Sequence, residues 1–332
     1  MRSTSRSLVI LPLLLLTALP GCRRGSDAAV EPVTPAMEAP TDPWAALPPD
    51  SLYGATAVEN LRLVPAELEL RGVPRGWDGM RIAAISDLQL GLWDDNGRVA
   101  EAAIRLAVDA NPDIIVLLGD YLAVGQNVGL LDRVLAPLQG RAAVAVLGDR
   151  DLRSDTLASR IQMTLRGHGV TVLRNGVAAF ARGGDTAFIA GVDPGFGGLG
   201  ALEQAEAFAT LPPGAATPVL LSHLPEALVG AAAERYPLIL AGHTFCGQVE
   251  IPGTPRLATL QTETLALAHL ARTERLFRSN GNTLLMTCGT GYSFIPIRFG
   301  AAPEVVLVTL LRLPDPPAEG TETELPPQPA IP

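Results

Sequence analysis

The sequence of 332 residues predicts an α/β fold in which two mixed sheets pack face to face between helices. The first observation is a set of short apolar runs, rich in β-branched residues, at 81–86, 113–118 and 142–147. Such runs are typical of strands that are buried on both faces of a sheet. The second observation is helical periodicity between these runs. The third is a further set of short strands, with less helix, in the later half of the chain.

The first two strands are joined by a predicted helix. Asp95 or Asn96 is expected to cap it, its apolar side chains fall largely on one side, and Pro112 ends it. A strand, helix and strand in this order imply parallel strands joined by a right-handed crossover. A second unit of the same kind runs through residues 130–138.

The later half of the chain supplies the remaining strands. They are predicted at 170–173, 187–190, 219–222, 238–241, 284–287 and 305–311. Their number exceeds what one short sheet needs, and they alternate with fewer helices. Two sheets packed face to face, with helices on the outside, account for this count.

The beginning of the chain is predicted to be a lipoprotein signal peptide, residues 1–21. Arg2 and Arg6 precede an apolar run that is shorter than the ~20 residues needed to span a bilayer. Cys22 then stands where a lipidated cysteine is expected, directly after the cleavage point. The alternative is an ordinary secretory signal in which Cys22 occurs by chance.

The rest of the chain divides by composition into three parts. Residues 22–51 are rich in Pro, Ala and acidic residues and are predicted to be a disordered tether. Residues 52–312 are large enough for a single α/β domain, and residues 313–332 resemble the tether in composition. This organisation predicts a protein that is exported from the cytoplasm and anchored to the bilayer of the cell envelope through Cys22.

The net charge excludes one class of partner. Lys and Arg number 25 and Asp and Glu 34, which gives −9, and removal of the two arginines of the signal peptide gives 23 − 34 = −11. Nucleic-acid binding requires a basic face that neutralises phosphates. We therefore expect no nucleic-acid partner.

Five short motifs occur in a fixed order along the predicted domain. They are residues 86–89 (SDLQ), 118–121 (LGDY), 147–151 (LGDRD), 221–225 (LSHLP) and 240–248 (LAGHTFCGQ). In number and order they resemble the calcineurin-like metallophosphoesterases, which have D-x-H, G-D, G-N-H-D/E, a lone His and G-H-T-H. Residues 174–176, 289–298 and 303–304 are similar to a membrane-associated branch of that family. The resemblance implies a four-layer α/β/β/α sandwich.

The candidate site residues all follow predicted strand ends, where open α/β sheets form their sites. They are Asp87, Asp120, Asp149, His223 and His243. Each has an ordinary alternative, because an Asp after a strand can cap the next helix and a His there can be structural. Their occurrence together in family order favours a site.

The resemblance implies two metal sites that share one carboxylate. The first would use Asp87, Gln89, Asp120 and Phe245. The phenylalanine has no donor atom and the glutamine offers only a neutral amide oxygen, where the family has His. We therefore expect this site to be weak or absent.

The second metal site implied by the resemblance keeps a possible ligand at every position. It would use Asp120, Asp149, His223 and His243. Carboxylates combined with imidazoles suit Mn²⁺, Zn²⁺ or Fe²⁺ better than Mg²⁺ or Ca²⁺. One divalent ion is expected, and the Asp at position 149 should bind it more tightly than the family's Asn would.

Arg150 stands where the family has a catalytic His. A guanidinium remains protonated, so it cannot replace that His as a general acid, but it can bind phosphate oxygens through two N–H groups. The alternative is a surface ion pair with Asp151 or Asp155.

Two cysteines, Cys246 and Cys288, remain in the domain. They can form a disulfide in an exported protein, or they can be reduced core residues. Cys246 replaces what resembles a family glycine, and a metal-bound thiolate there is a further alternative.

Two functions are compatible with these residues. The first is a membrane-anchored metal-dependent phosphoesterase of reduced activity, acting on a phosphomonoester, a phosphodiester or a phospholipid headgroup. The second is a catalytically dead protein of the same fold that binds an envelope ligand or serves as a scaffold.

Overall fold

The structure is a computed structural model that describes residues 31–32, 52–53, 58–123, 127–194, 216–249, 275–293 and 295–314. The predicted signal peptide (1–21) and Cys22 lie outside the described residues. So do the predicted tether (22–51), apart from 31–32, and the predicted tail (313–332), apart from 313–314. Among the described residues, none of the helices combines the length and the apolar character that a membrane span requires.

The first sheet, sheet I, has six strands: Arg62–Leu70 (β3), Met80–Ile85 (β4), Ile114–Leu117 (β5), Ala143–Ala145 (β6), Thr171–Val172 (β7) and Glu304–Arg312 (β15). They lie in the order β3-β15-β4-β5-β6-β7. Strands β4 to β7 are parallel to one another, as the crossover units predict. Strand β15 is antiparallel to β4 and parallel to β3, so the sheet is mixed.

The second sheet, sheet II, has seven strands: Glu31–Pro32 (β1), Gly176–Arg182 (β8), Asp185–Val192 (β9), Val219–Ser222 (β10), Leu238–Ala241 (β11), Leu276–Ser279 (β12) and Asn282–Met286 (β13). They lie in the order β1-β12-β13-β11-β10-β9-β8. Strands β9, β10, β11 and β13 run parallel, whereas β1, β8 and β12 pair antiparallel. Leu52–Tyr53 (β2) and Arg298–Phe299 (β14) form a small separate ladder.

Three longer helices are described: Asp94–Asp109 (α1), Val128–Leu135 (α2) and Asp155–Gly167 (α3). Helix α1 begins after Trp93, so the expectation that Asp95 or Asn96 caps it is wrong: both lie inside its first turn. Asn96 instead donates hydrogen bonds from its buried amide to the backbone oxygens of Gln89 and Tyr292. A further short helix, Ala227–Gly230, follows β10.

The layers stack in the order helices, sheet I, sheet II, short helix. Helices α1 to α3 pack on the outer face of sheet I through a cluster that includes Ile104, Leu135 and Ile161. The inner faces of the two sheets share a second cluster, with Val116 from one sheet and Leu221 from the other. The short helix packs on the outer face of sheet II. This arrangement is the predicted α/β/β/α sandwich.

The topology brings two parallel strand sets to a common edge. Strands β4, β5 and β6 of sheet I end at the loops that carry Asp87, Asp120 and Asp149. Strands β10 and β11 of sheet II end at the loops that carry His223 and His243. Because carboxyl ends of parallel strands form one edge, side chains from both sheets can meet there.

Candidate metal centre

The backbone at this edge is held in an uncommon conformation. Asp87, Asp120 and His243 have φ values of 57°, 57° and 70°, in the left-handed region. Residues other than glycine adopt it rarely and at a cost of about 1–3 kcal/mol, and such residues cluster at functional sites. At Gly242 a Cβ would stand 1.9 Å from the Ser86 hydroxyl oxygen, so β11 can approach β4 closely only because this residue is glycine.

Asp149, His223 and His243 place one atom each around a common point. Asp149 Oδ1 lies 3.3 Å from His223 Nε2 and 3.4 Å from His243 Nδ1. The two imidazole nitrogens lie 3.2 Å from each other. These three side chains form one of two groups in the described residues whose donor atoms are close enough to hold a metal ion.

The orientation of His223 suits a ligand. Its ring is fully buried, and Nδ1 lies 2.8 Å from the backbone oxygen of Leu118. Since a carbonyl oxygen can only accept, Nδ1 carries a proton and Nε2 is left to face the carboxylates. A second hydrogen bond of this kind fixes the tautomer of metal-binding histidines.

Charge compensation is visible in the pKa values of this cluster. Burial lowers the pKa of His223, but the nearby carboxylates, Asp120 first, outweigh burial and raise it well above its ordinary value. Burial raises the pKa of Asp149, but hydrogen bonds with His223 and His243 outweigh burial and hold it below its usual range. Burial also raises the pKa of Asp120. The cluster therefore favours added positive charge.

The carboxylate of Asp120 has four polar contacts at the site. Its Oδ1 accepts the Arg150 backbone N–H at 3.1 Å and lies 3.5 Å from His223 Nε2. Its Oδ2 accepts the Gln89 side-chain N–H at 2.8 Å and lies 3.2 Å from Arg150 Nε. The ion pair of Arg150 at the site is thus with Asp120, whereas the sequence alternative had named Asp151 or Asp155.

Asp87 combines with Asp120 and His223 in the second group of donors. Its Oδ2 accepts hydrogen bonds from the Ser86 hydroxyl at 2.6 Å and from the His243 backbone N–H at 3.0 Å. Its Oδ1 is buried without a hydrogen-bond partner, as is Gln89 Oε1. Buried acceptors without a partner are costly, which fits a cation near these oxygens.

Phe245 contributes no ligand atom, and its ring packs against a guanidinium. Its ring is buried, and the guanidinium carbon of Arg298 lies 5.5 Å from its centroid. The structure thus brings together every sequence-predicted ligand that has a donor atom, and Phe245 is the member of the predicted first site that is lost.

Two residues that sequence reasoning did not assign to the site support it. Asp151 is buried and accepts backbone N–H bonds from Asp120, Tyr121 and Gly148 at 2.8–3.0 Å. Burial raises its pKa to about 7, with a further contribution from Asp120. Its place at the end of the third motif was the available signal. Ser293, whose hydroxyl accepts from Arg150 Nη2 at 3.1 Å, lies within residues 289–298, and the resemblance of that stretch to the family was the available signal.

Cys246 and Cys288 form a disulfide, with a sequence separation of 42. The bond connects the turn after His243 to the loop that begins beyond β13. The alternatives of reduced core residues and of a metal-bound thiolate at Cys246 are therefore wrong for this structure. Both cysteines are buried.

The donor sets can be compared with the needs of a divalent ion. Asp149, His223 and His243 offer a carboxylate and two imidazoles, which suits Zn²⁺, Mn²⁺ or Fe²⁺. The side chain of His243 is 25% exposed and that of Asp149 is 45% exposed, so the group is open to solvent on one side. These residues fit a metal ion.

Comparison with known proteins finds three relatives that are named as metallophosphoesterases or as a phosphodiesterase. No protein-family model matches the chain. It is 25% identical over 280 residues to a zebrafish (Danio rerio) transmembrane protein with a metallophosphoesterase domain, covering 78% of this chain and 60% of that protein. It is 25% identical over 252 residues to the uncharacterized metallophosphoesterase YkuE of Bacillus subtilis, covering 72% of this chain and 81% of that protein. It is 29% identical over 215 residues to the phosphodiesterase YaeI of Escherichia coli, covering 63% of this chain and 74% of that protein.

The structure combines an α/β/β/α sandwich with two groups of Asp and His donors that could hold a metal ion. The three relatives are named as metallophosphoesterases or as a phosphodiesterase, and this similarity confirms the resemblance to metallophosphoesterases predicted from the sequence. The match spans 60% of the zebrafish relative. A solved phosphopantetheinyl hydrolase from Mycobacterium tuberculosis matches with a TM-score of 0.34 and 14% identity, covering 67% of this chain and 96% of that one. That similarity is too low to support an inference.

Proposed function

We propose that this chain is a metal-dependent phosphoesterase of reduced activity that holds one divalent ion between Asp149, His223 and His243. The observation that supports it is the convergence of their three donor atoms at separations of 3.2–3.4 Å. An ion held there supplies Lewis-acid polarisation of a phosphoryl oxygen and activation of water. Mn²⁺, Zn²⁺ and Fe²⁺ are the ions of choice for this donor set.

In this proposal, Arg150 binds phosphoryl oxygens of the substrate. Its side chain is 16% exposed, and it lies beside Asp120 at the centre. A guanidinium is cationic at every physiological pH and offers several N–H donors to an oxyanion. It cannot protonate a leaving group, however, so hydrolysis should be slower than in a relative that keeps the family's His.

The substrate class in this proposal is a phosphomonoester, a phosphodiester or a phospholipid headgroup. The predicted lipid at Cys22 favours a location at the cell envelope, with the bilayer as a partner through that lipid. The disulfide is further support, because disulfides persist in exported proteins and are rare in the cytoplasm.

A second candidate function is a catalytically dead binding or scaffold protein at the cell envelope. The observation that favours it is that Gln89, Arg150 and Phe245 stand where the family has His. Under this hypothesis the metal group would serve only to order the loops around a ligand.

The test uses the full chain and two measurements. Metal content per chain is determined by elemental analysis after loading with Mn²⁺ or Zn²⁺, and hydrolysis is followed with p-nitrophenyl phosphate and bis(p-nitrophenyl) phosphate. We expect about one ion and slow hydrolysis, both lost in His243→Ala. His168→Ala is the matched control, since His168 pairs with Asp132 outside the centre. An ion without any turnover would favour the scaffold, and no ion in the unmodified protein would refute the proposal.

A further inference from the structure

Asp120 is the carboxylate that two metal ions would have to share, and its Oδ2 already has two N–H partners. Oδ2 accepts from Gln89 Nε2 at 2.8 Å and lies 3.2 Å from Arg150 Nε. Both donors come from residues that the family resemblance places at a metal ligand and at a catalytic His. An oxygen with two N–H partners at these distances has little capacity left for an ion.

Arg150 is held in place through both its backbone and its guanidinium. Its backbone N–H donates to Asp120 Oδ1 at 3.1 Å, its Nε lies 3.2 Å from Asp120 Oδ2, and its Nη2 donates to the Ser293 hydroxyl at 3.1 Å. Ser293 is itself fixed, because its N–H donates to Gln248 Oε1 at 2.7 Å and its carbonyl accepts from Trp93 Nε1 at 2.9 Å. The positive charge is therefore positioned by the fold and does not depend on a freely rotating surface side chain.

We propose that Arg150 is a built-in cation that takes the place of a second metal ion at Asp120 and thereby sets the number of ions bound. The inference rests on the proposed function, in which Asp149, His223 and His243 hold one ion. The buried oxygens Asp87 Oδ1 and Gln89 Oε1 lack hydrogen-bond partners and would attract a cation. With Asp120 paired to Arg150, only Asp87 and His223 remain of the second donor group, and Gln89 adds only a neutral amide oxygen, which makes a poor divalent site.

The experiment counts the Mn²⁺ ions bound by two variants of the full chain. Calorimetric titration gives the number of ions per chain, and electron paramagnetic resonance detects the signal of coupled Mn²⁺ pairs. The first variant, Gln89→His with Phe245→His, restores two ligands and keeps Arg150. We expect the same number of ions as in the unmodified protein. The second adds Arg150→Ala, and we expect one more ion with a coupled-pair signal.

Two results would overturn the inference. One is an additional ion in the variant that keeps Arg150, and the other is no additional ion when Arg150 is removed. The count in the unmodified protein tests the proposed function separately, since zero ions there refutes the single-ion site. The difference between the two variants tests Arg150 in either case.

A single substitution provides a second test that does not depend on the restored histidines. Arg150→Met removes a positive charge next to Asp120. We therefore expect the Mn²⁺ affinity of the proposed single-ion site to rise about tenfold. If Arg150 only held the loop in place, its loss would weaken Mn²⁺ binding, and that outcome overturns the inference. Arg153→Met is the control, because Arg153 is exposed on the same loop and the change in net charge is identical. Thermal unfolding of each variant verifies that it is folded.

Discussion

The buried guanidinium of Arg298 is stabilised by hydrogen bonds to backbone oxygens. Its side chain is fully buried and donates to the carbonyl groups of Gly291, Ala301 and Cys288 at 2.5–3.1 Å. Burial lowers its pKa to about 10, so the group is still protonated at neutral pH. It thereby joins the loop after β13 to the chain that leads into β15.

Replacing Arg298 should therefore destabilise the whole domain. Arg298→Met removes several charge-assisted hydrogen bonds and leaves buried carbonyl groups without donors, at an expected cost of about 3 kcal/mol or more in the free energy of unfolding. Arg298→Lys should recover little, since an ammonium cannot reproduce the planar arrangement of donors. Urea denaturation measures the change. Arg278→Met on the exposed side of β12 is the control, and an equal effect there would contradict this role for Arg298.

The loop that carries His243 is short and has an unusual backbone, so its position depends on contacts with other elements. His243, Phe245, Cys246 and Gln248 have φ between 49° and 70°. The disulfide of Cys246 with Cys288 and the hydrogen bond from the His243 N–H to Asp87 Oδ2 fix this turn against its neighbours. The position of His243 in the donor group with Asp149 and His223 thus depends on a covalent constraint between two loops.

Removal of that disulfide should affect both stability and metal affinity. In Cys246→Ala with Cys288→Ala we expect a loss of about 4 kcal/mol in the free energy of unfolding, since the bond closes a long loop. Mn²⁺ affinity should fall as well, because His243 is less well positioned. The same loss should follow treatment of the unmodified protein with a reductant. The double variant serves as the control, and any response of that variant to the reductant would contradict the explanation.

The strands that the sequence predicts are those whose hydrophobic pattern is continuous. Strands β4, β5, β10 and β11 were found because burial on both faces leaves continuous apolar runs. Strand β3 was missed because its side chains alternate between buried and exposed and because Pro65 lies within it. Helix α3 was missed although Ser154 accepts the N–H of Leu157 as an N-terminal cap.

The sequence predicts the positions of the candidate site residues but not the contacts that Arg150 makes there. The positions of Asp87, Asp120, His223 and His243 followed from the ends of strands, which local sequence reveals. The contacts of Arg150 with Asp120 and Ser293 did not, because those partners are 30 and 143 residues away in the sequence. No local pattern specifies which carboxylate a long side chain will reach.

The molecule as a whole combines an acidic domain that holds a disulfide with a predicted membrane tether at its N-terminus. Lipid attachment at Cys22 and oxidation of Cys246 with Cys288 both require export, so the two features should be lost together when export is blocked.

This dependence gives a prediction for the intact protein in its own cell. Cys22→Ser should move the protein from the membrane fraction to the soluble exported fraction and abolish the acyl mass on its N-terminal peptide, because anchoring depends on the attached chains. Deletion of residues 1–21 should instead retain the protein in the cytoplasm, with Cys246 and Cys288 reduced and open to thiol labelling. Mass spectrometry of the N-terminal peptide and of the labelled cysteines measures both effects. An unacylated Cys22 in the unmodified protein would refute the anchor, and oxidised Cys246 and Cys288 in the deletion variant would remove the disulfide as support for export.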